Sequence, residues 1–502
     1  MTSLKKLAGE TIWYGLSNIA AKFLNVLLTP IITYILRSDM QRSEYGDFSV
    51  LFSCISFINI VYTYGMETAY FRFSARGGDK DKLFQTTFTS LAVSSVLLSA
   101  LIIYFRNAVC TFTGLDNHPE YINICVAIVA IDTMSAIPFA KLRQEGRPKK
   151  YAFTKVAGIL VNIFATIYFI YYSPQKVAEF PTSRYSVWYH ANTDVGFLLL
   201  ANLAQSLVTF LLLYKEWNSW RFAFDLPLWR RIFAYSSPMI IIGLGGMVNE
   251  TIDRIMLRKL VPLSELQAKI EVGNYSADYK IAIFITLFIQ AFKMSAEPFF
   301  FSRSTENDAP KTYARVMKWF VITLCIAFLF TALFLDIWKY FIGPQYRNDL
   351  GVVPILLAAN VALGIYYNLS VWYKITDKMY FGMIVTLVGA AITLFINFRY
   401  IPVYGMYACA WATLAAYGSM MVLSYVLGQH YYPVPYFLRK LLAYLSFMLG
   451  LFFLEQWVKH FTSNVPLRLA SGAVLFFAFI RFIALIEKKE LQGLPVIGKY
   501  IR

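Results

Sequence analysis

Residues 44–49 read EYGDFS, and residues 271–276 read EVGNYS, 227 positions later. Each phrase opens a long apolar stretch. A second pair of landmarks keeps nearly the same register: KKYAF at Lys149–Phe153 and DKMYF at Asp377–Phe381 put Tyr151 and Tyr380 229 positions apart. Two landmarks in one register imply a chain written twice. The carboxylate, glycine and aromatic of the phrase suit a turn at a span entrance with an aromatic anchored at the membrane interface, so the phrase reads as a marker of duplication.

What is duplicated follows from composition. The 502 residues are 58% hydrophobic and 15% charged, with mean hydropathy +0.53, which leaves too little polar surface for a water-soluble domain. The apolar residues cluster in runs of roughly 18 to 26, the length a helix needs to cross about 30 Å of hydrocarbon. Fourteen runs are expected, at 11–36, 45–66, 84–105, 120–140, 151–172, 195–214, 232–256, 274–300, 316–336, 351–373, 379–398, 403–428, 439–457 and 468–487. The first run is long, contains Lys22 and lacks a small-residue cleavage site, so it reads as a retained span.

The fold class is therefore an all-α integral membrane protein of about 14 transmembrane helices. The duplication divides it into a six-helix lobe over 1–214, a second over 215–428, and two additional helices with a basic tail over 429–502. Each copy has an even number of spans, so the lobes lie parallel, related by a pseudo-two-fold axis along the membrane normal.

With the N-terminus in the cytoplasm, 28 of the 46 basic residues fall on the cytoplasmic side and 13 opposite. This bias predicts both termini inside. Much of the +17 net charge is accordingly topology and contact with membrane lipids, not nucleic-acid binding.

The remaining five basic residues lie within the runs: Lys22, Lys155, Arg254, Lys280 and Lys293. A charge at membrane depth costs about 2.5–3.5 kcal/mol on insertion scales, so such residues face water, a partner or a substrate unless they snorkel. Snorkelling is open to Lys155 and Lys280, near the ends of their runs. Lys22, ~16 Å deep, cannot easily reach an interface. Thr11, Asn18, Lys22, Asn25 and Thr29 share one helical face, a polar stripe that either lines a cavity or binds a neighbouring helix.

Other polar positions carry open alternatives. Glu250 and Arg254, four apart, either neutralise each other or contact substrate, and so do Lys293 and Glu297. Asp132 has no basic residue within a turn of its own helix, so it is a candidate for ion coupling or a neutral hydrogen-bond donor, and Asp253 and Glu297 join it as coupling candidates. Pro30 and Pro238 mark bend points.

Enzyme signatures are lacking. His118, His190, His430 and His460 are scattered without metal-ligand spacing, no GxxxxGK[ST] phrase occurs, and the five cysteines form no CxxC. No cofactor or metal is implied, and transport is the expected activity.

The stretch NFRYIPVYGMYACAWATLAAYG, Asn397–Gly418, resembles the helix 11 to helix 12 region of polysaccharide flippases in the multidrug/oligosaccharidyl-lipid/polysaccharide superfamily. The Gly-centred openings of the second and eighth helices and the basic link LRQEGRPKKY, Leu142–Tyr151, fit the same family. In one departure, the usual Gly-Ala-Ala is here Tyr407-Ala408-Cys409-Ala410. The resemblance implies flipping of undecaprenyl-diphosphate-linked oligosaccharide across the bacterial cytoplasmic membrane, with H+ or Na+ as a coupling ion and other glycan-assembly proteins as partners.

Under that resemblance Asn18, Lys22, Asn25, Arg254, Lys280 and Lys293 form the diphosphate and sugar cavity, and Arg72 and Arg76 the cytoplasmic mouth. The alternatives are a cation-coupled multidrug exporter of the same superfamily and a membrane enzyme or scaffold of glycan-lipid assembly.

Overall fold

The computed structural model describes the backbone of residues 2–75, 79–115, 118–190, 194–303, 306, 308–376 and 378–492, and their side chains except those of 2–18, 75, 190, 294, 295, 297, 298, 301 and 302. All regular structure among them is helical. Among the described residues twelve helices, the longer ones interrupted, are long and apolar enough to cross a membrane.

Long helices lie where the fourteen runs were expected. They are α1 (Thr2–Ile35), α2 (Asp39–Thr63), α3 (Lys80–Tyr104), α4 (Pro119–Gln144), α5 (Pro148–Ile167), α6 (Asp194–Leu212), α7 (Pro238–Leu260), α8 (Glu265–Arg303), α9 (Ala309–Ala332), α10 (Val352–Leu369), α11 (Met379–Tyr404), α12 (Met406–Tyr431), α13 (Leu438–Phe461) and α14 (Val465–Ile486). Two lie outside the twelve: α1, whose side chains are described from Ile19 onward and whose Ile19–Ile35 is a shorter apolar helix, and α8, which carries Glu271, Asp278, Lys280 and Lys293 along its length. Helices are the required answer here, because hydrocarbon offers backbone groups no other partner.

Local chemistry sets the starts. Ser38 and Gln41 form a capping box on α2, the Asp79 side chain accepts from two amides of α3, and Pro119, Pro148 and Pro238 open α4, α5 and α7. Two spans are broken. Helix α2 stops at Tyr64 and Gly65, both left-handed (φ 31° and 69°), and resumes as Met66–Ala75; α7 is preceded by the helix Leu226–Ser236, with Pro238 at the break. Both extra segments were unforeseen.

Contacts divide the chain into two compact units that cut it at other places than the repeat. The first holds residues 1–277 and 386–412. In it α5 packs between α1 and α6, α4 packs on α3 and α6, and α2 runs along α7. One core gathers Tyr70, Phe84, Phe88 and Ile137, and another Tyr121, Val126 and Leu199. Ala408, Cys409 and Ala410 are buried here, so the segment departing from the family's small-residue pattern still packs closely.

The second unit holds 278–385 and 413–502. In it α9 packs on α10, α13 and α14, and Ala359, Tyr366, Val385 and Tyr417 share a core. The two additional helices are fastened through charge. Glu487, just past α14, accepts from Lys318 of α9 (2.6 Å), Lys440 (2.6 Å) and the Tyr444 hydroxyl (2.5 Å), and Lys318 also reaches Glu490 (2.7 Å). Lys318 is 1% exposed.

Candidate transport site

The repeated phrase sits inside helices, not at turns. Gly46 and Gly273 lie about two turns into α2 and α8 with ordinary helical backbone, and neither is left-handed. Their shared property is the missing Cβ. A Cβ on Gly46 would overlap the Lys269 carbonyl oxygen, and one on Gly273 would lie 2.8 Å from the Arg42 carbonyl oxygen. The two copies pack against each other, backbone on backbone.

The crossing is reciprocal. Arg42 and Lys269 are equivalent positions, 227 apart, as are Asp47 and Asn274. Arg42 Nη2 donates to Asn274 Oδ1 (3.0 Å), and Lys269 Nζ lies 2.9 Å from Asp47 Oδ2. Position i of one copy thus meets position j of the other, and j meets i, the signature of a two-fold contact. Arg258 adds to the charge here, 3.7 Å from Asp47 and 3.1 Å from Glu265.

The glutamates of the phrase do equivalent work as well. Glu44 Oε2 accepts from the Val195 amide (3.1 Å) in the first turn of α6, and Glu271 Oε1 accepts from the Met406 amide (2.9 Å) opening α12. Each carboxylate meets orphan amides and the positive end of a helix dipole.

Beside this crossing lies a buried polar group on α7. Arg254 Nη1 donates to Asp253 Oδ1 (2.7 Å) and to the Glu250 carbonyl oxygen (2.5 Å), and its guanidinium lies 5.4 Å from the Tyr275 ring. Tyr275 Oη donates to Asp253 Oδ2 (2.6 Å), and Cys409 Sγ approaches the Asp253 carbonyl oxygen at 3.8 Å. Arg254 and Asp253 are 8% and 3% exposed, so both are turned into protein. The Glu250 side chain is exposed, and its carboxylate acts electrostatically on Lys22 of α1.

Lys22 and Asn25 are exposed, whereas Thr29 on the same stripe is buried and hydrogen-bonds Tyr45. The stripe therefore has an open part and a packed part. Side chains of Asn18, Thr11 and Glu297, and all of Arg76, lie outside the described residues. Arg72 is exposed, its guanidinium stacked 4.0 Å from the Tyr235 ring. In the second unit Lys280 and Lys293 are half-buried, and Lys293 Nζ lies 4.7 Å from the Tyr367 ring.

Asp132 acquires partners that its own helix could not supply: Ser206 of α6 by hydrogen bond and the charge of Lys155 from α5. Lys155 Nζ lies 4.3 Å from the Phe139 ring. A further polar group follows along α5 and α6, where Asn162 Nδ2 donates to Asn202 Oδ1 (3.1 Å) and Gln205 Oε1 (2.8 Å).

Residues 7–304, more than half of the chain, match the model of a family described as polysaccharide biosynthesis protein. The chain belongs to that family. The chain has the fold of a lipid II flippase, MurJ, solved in an inward closed conformation, with TM-score 0.71 and 12% identity over 95% of this chain and 99% of that one. It is also similar to a multidrug resistance MATE family transporter of the MOP superfamily, solved facing inward (TM-score 0.62, 14% identity, 84% and 94% covered) and outward (0.57, 15%, 85% and 94%). No curated protein matches its sequence. The family member is thus a multi-pass membrane protein with the flippase and exporter fold, which bears out the resemblance read from Asn397–Gly418.

Proposed function

We propose that this protein flips an undecaprenyl-diphosphate-linked oligosaccharide from the inner to the outer leaflet of a bacterial cytoplasmic membrane, supplying O-antigen, capsule or exopolysaccharide synthesis. The observation that carries the reading is Lys22, a cation deep in a span and open on its helix face, with Asn25 beside it. A diphosphate crossing hydrocarbon needs replacement of its hydration, and an ammonium with amide donors supplies it. Lys280 and Lys293 have the same role within the second unit, and Arg254, held by Asp253, has it within the first.

In this reading both termini are cytoplasmic, and the repeat halves 1–214 and 215–428 rock about the site with 429–502 appended. The α2–α8 crossing then closes the outer side. Arg72 and Arg76 recruit the headgroup from the cytoplasmic leaflet, and Asp132 with Lys155 carries the coupling proton or takes the place of a sodium site.

Glu250 favours a second reading, a cation-coupled multidrug exporter, because an open carboxylate suits cationic cargo. One experiment separates the two. Complementation of a glycan-export deletion with Lys22→Ala is expected to accumulate inner-leaflet glycan lipid, while Lys22→Arg exports it. Export intact with Lys22→Ala would sink the diphosphate role, and drug sensitivity without a glycan defect would establish the exporter.

A further inference from the structure

A cavity of about 640 Å³ opens on the first unit between α2, α3 and the segment leading into α7, away from Lys22 and from the α2–α8 crossing. Its apolar wall includes Val61, Val93, Leu97, Phe222, Phe224 and Phe233. Exposure there is high for hydrocarbon side chains: Leu97 is 65% exposed and Phe222 76%.

The hydroxyls that reach the wall are already engaged. Trp229 Nε1 donates to Ser90 Oγ (2.7 Å), Ser90 meets the Tyr64 hydroxyl (2.6 Å), and Trp220 Nε1 donates to Thr89 Oγ1 (2.9 Å). What faces the opening is therefore hydrocarbon and aromatic ring. From Ser90 to Leu98 the α3 side of the cavity runs about 12 Å, which fits part of one acyl chain and is far short of a polyprenyl chain.

The wall is firmly built. The segment before α7 is strapped to α3: Gln85 Nε2 donates to the Ser219 carbonyl (2.9 Å), the Arg221 amide to Gln85 Oε1 (2.6 Å), Thr89 Oγ1 to the Ala223 carbonyl (3.2 Å), and Lys82 pairs with Asp225 (2.5 Å). Two exposed cations, Arg221 and Arg230, each sit one residue from a wall aromatic, Phe222 and Trp229. The helix Leu226–Ser236 sets Arg230 and Arg231 beside Trp229, and Arg221 with Phe222 precedes it; arginines and aromatics side by side are the pattern that lies at a headgroup boundary and prefers anionic lipid.

Position gives the cavity a consequence. Its wall includes Tyr64, the left-handed residue at the break in α2, and Ile240, just past the break in α7. The breaks also touch each other: a Cβ on Gly65 would lie 2.8 Å from Met239 Cβ and 3.1 Å from the Ser236 carbonyl oxygen. Any chain lodged here packs against both discontinuities at once.

We propose that this cavity is a binding site for one acyl chain of an anionic phospholipid, its phosphate held by Arg221 and Arg230, and that occupancy braces the paired breaks of α2 and α7. No residue assigned to the proposed glycan-lipid path lines this cavity, and its test does not depend on that path.

The test uses the full chain in nanodiscs containing phosphatidylglycerol or phosphatidylcholine brominated in the acyl chain. Quenching of Trp229 is read as the difference between the wild type and Trp229→Phe. Brominated phosphatidylglycerol is expected to quench that component at about 30-fold lower mole fraction than brominated phosphatidylcholine, the scale of two basic residues' attraction for an anionic surface. Arg221→Ala with Arg230→Ala removes the preference, and Val93→Phe, which fills the cavity, removes the quenching. Lipid carried through purification, read by native mass spectrometry, repeats the comparison without Trp229→Phe. Equal quenching by the two headgroups, no quenching, or displacement by undecaprenyl phosphate but not by phosphatidylglycerol would each overturn the proposal.

Discussion

The α2–α8 crossing and the Lys318–Glu487 cluster both join helices far apart in sequence, but they are built on opposite principles. At the crossing, glycines bring two backbones together, and Arg42, Asp47 and Lys269 around the contact each have a partner across it and another beside it. At the cluster, one nearly inaccessible ammonium serves two carboxylates, and one carboxylate takes three donors. A contact of the first kind parts at lower cost, because each buried charge keeps another partner when α2 and α8 separate: Arg42 keeps Asp39, Asp47 keeps Arg258 and Lys269 keeps Glu265. Opening the second would strand buried charge. The difference marks the crossing as a joint and the cluster as a fastening.

The largest effect is expected at the fastening. Lys318→Met leaves Glu487 and Glu490 facing each other without their shared cation, and should cost about 3–5 kcal/mol in detergent unfolding. Acid titration gives a second readout. Burial pushes the Glu490 carboxyl up, but hydrogen bonds from Lys318 and Trp319 outweigh it and hold the group below the usual carboxylate range. Its contribution is therefore full above about pH 4 and is lost as pH falls through the lowered value. The wild type should lose stability on that descent, and Lys318→Met should not show the same step; unchanged stability of the variant at neutral pH would reduce the cluster to decoration.

A smaller effect is expected from Gly46→Val, which inserts carbon against the Lys269 carbonyl. Overpacking of this kind costs about 1–3 kcal/mol, and cysteine crosslinking between α2 and α8 should become slower as the helices are wedged apart. Crosslinking at the wild-type rate would mean that the glycine contact does not set their spacing.

The smallest belongs to the charged rim. Asp47→Asn or Lys269→Gln should cost less stability than Gly46→Val, because Glu265 still faces Lys269 in the first and Arg258 still faces Asp47 in the second, yet shift the crosslinked fraction. The double change, Asp47→Asn with Lys269→Gln, should shift it by clearly less than the sum of the two single changes. Simple additivity would remove the pair from the joint.

The spans were legible because hydrocarbon imposes one length and one polarity on every crossing segment, and long helices stand at the expected places. The repeat was legible as a repeat but not as a contact. Nothing in a linear sequence says that Gly46 and Gly273 meet, and a glycine near a span entrance reads equally well as a turn. Equivalence of Arg42 with Lys269 and of Asp47 with Asn274 was available in the register, and extending the phrase by two residues on its N-terminal side would have exposed it.

Charge was harder to read. Lys318 lies within an apolar run but near its end, and so passed for a loop residue until burial showed otherwise. Asp132 looked solitary because its partners come from two other helices. Arg254 and Glu250, four apart, invited a pairing within one helix, but the guanidinium takes the adjacent Asp253 and a backbone oxygen. In each case the deciding contact is between helices or depends on side-chain direction, which spacing alone does not fix.

Glu44 and Glu271 have a consequence for synthesis. Glu44 is matched by the first turn of α6, and everything between them is made before α8 exists. The first half can therefore close its own hydrogen bond while the ribosome is still at work on the second. Only when Gly273 has entered the membrane is there a surface for α2 to cross, and Met406, which closes the hydrogen bond of Glu271, is made 133 residues later still, so the first copy can seal its end before the crossing exists and the second only after α12 follows.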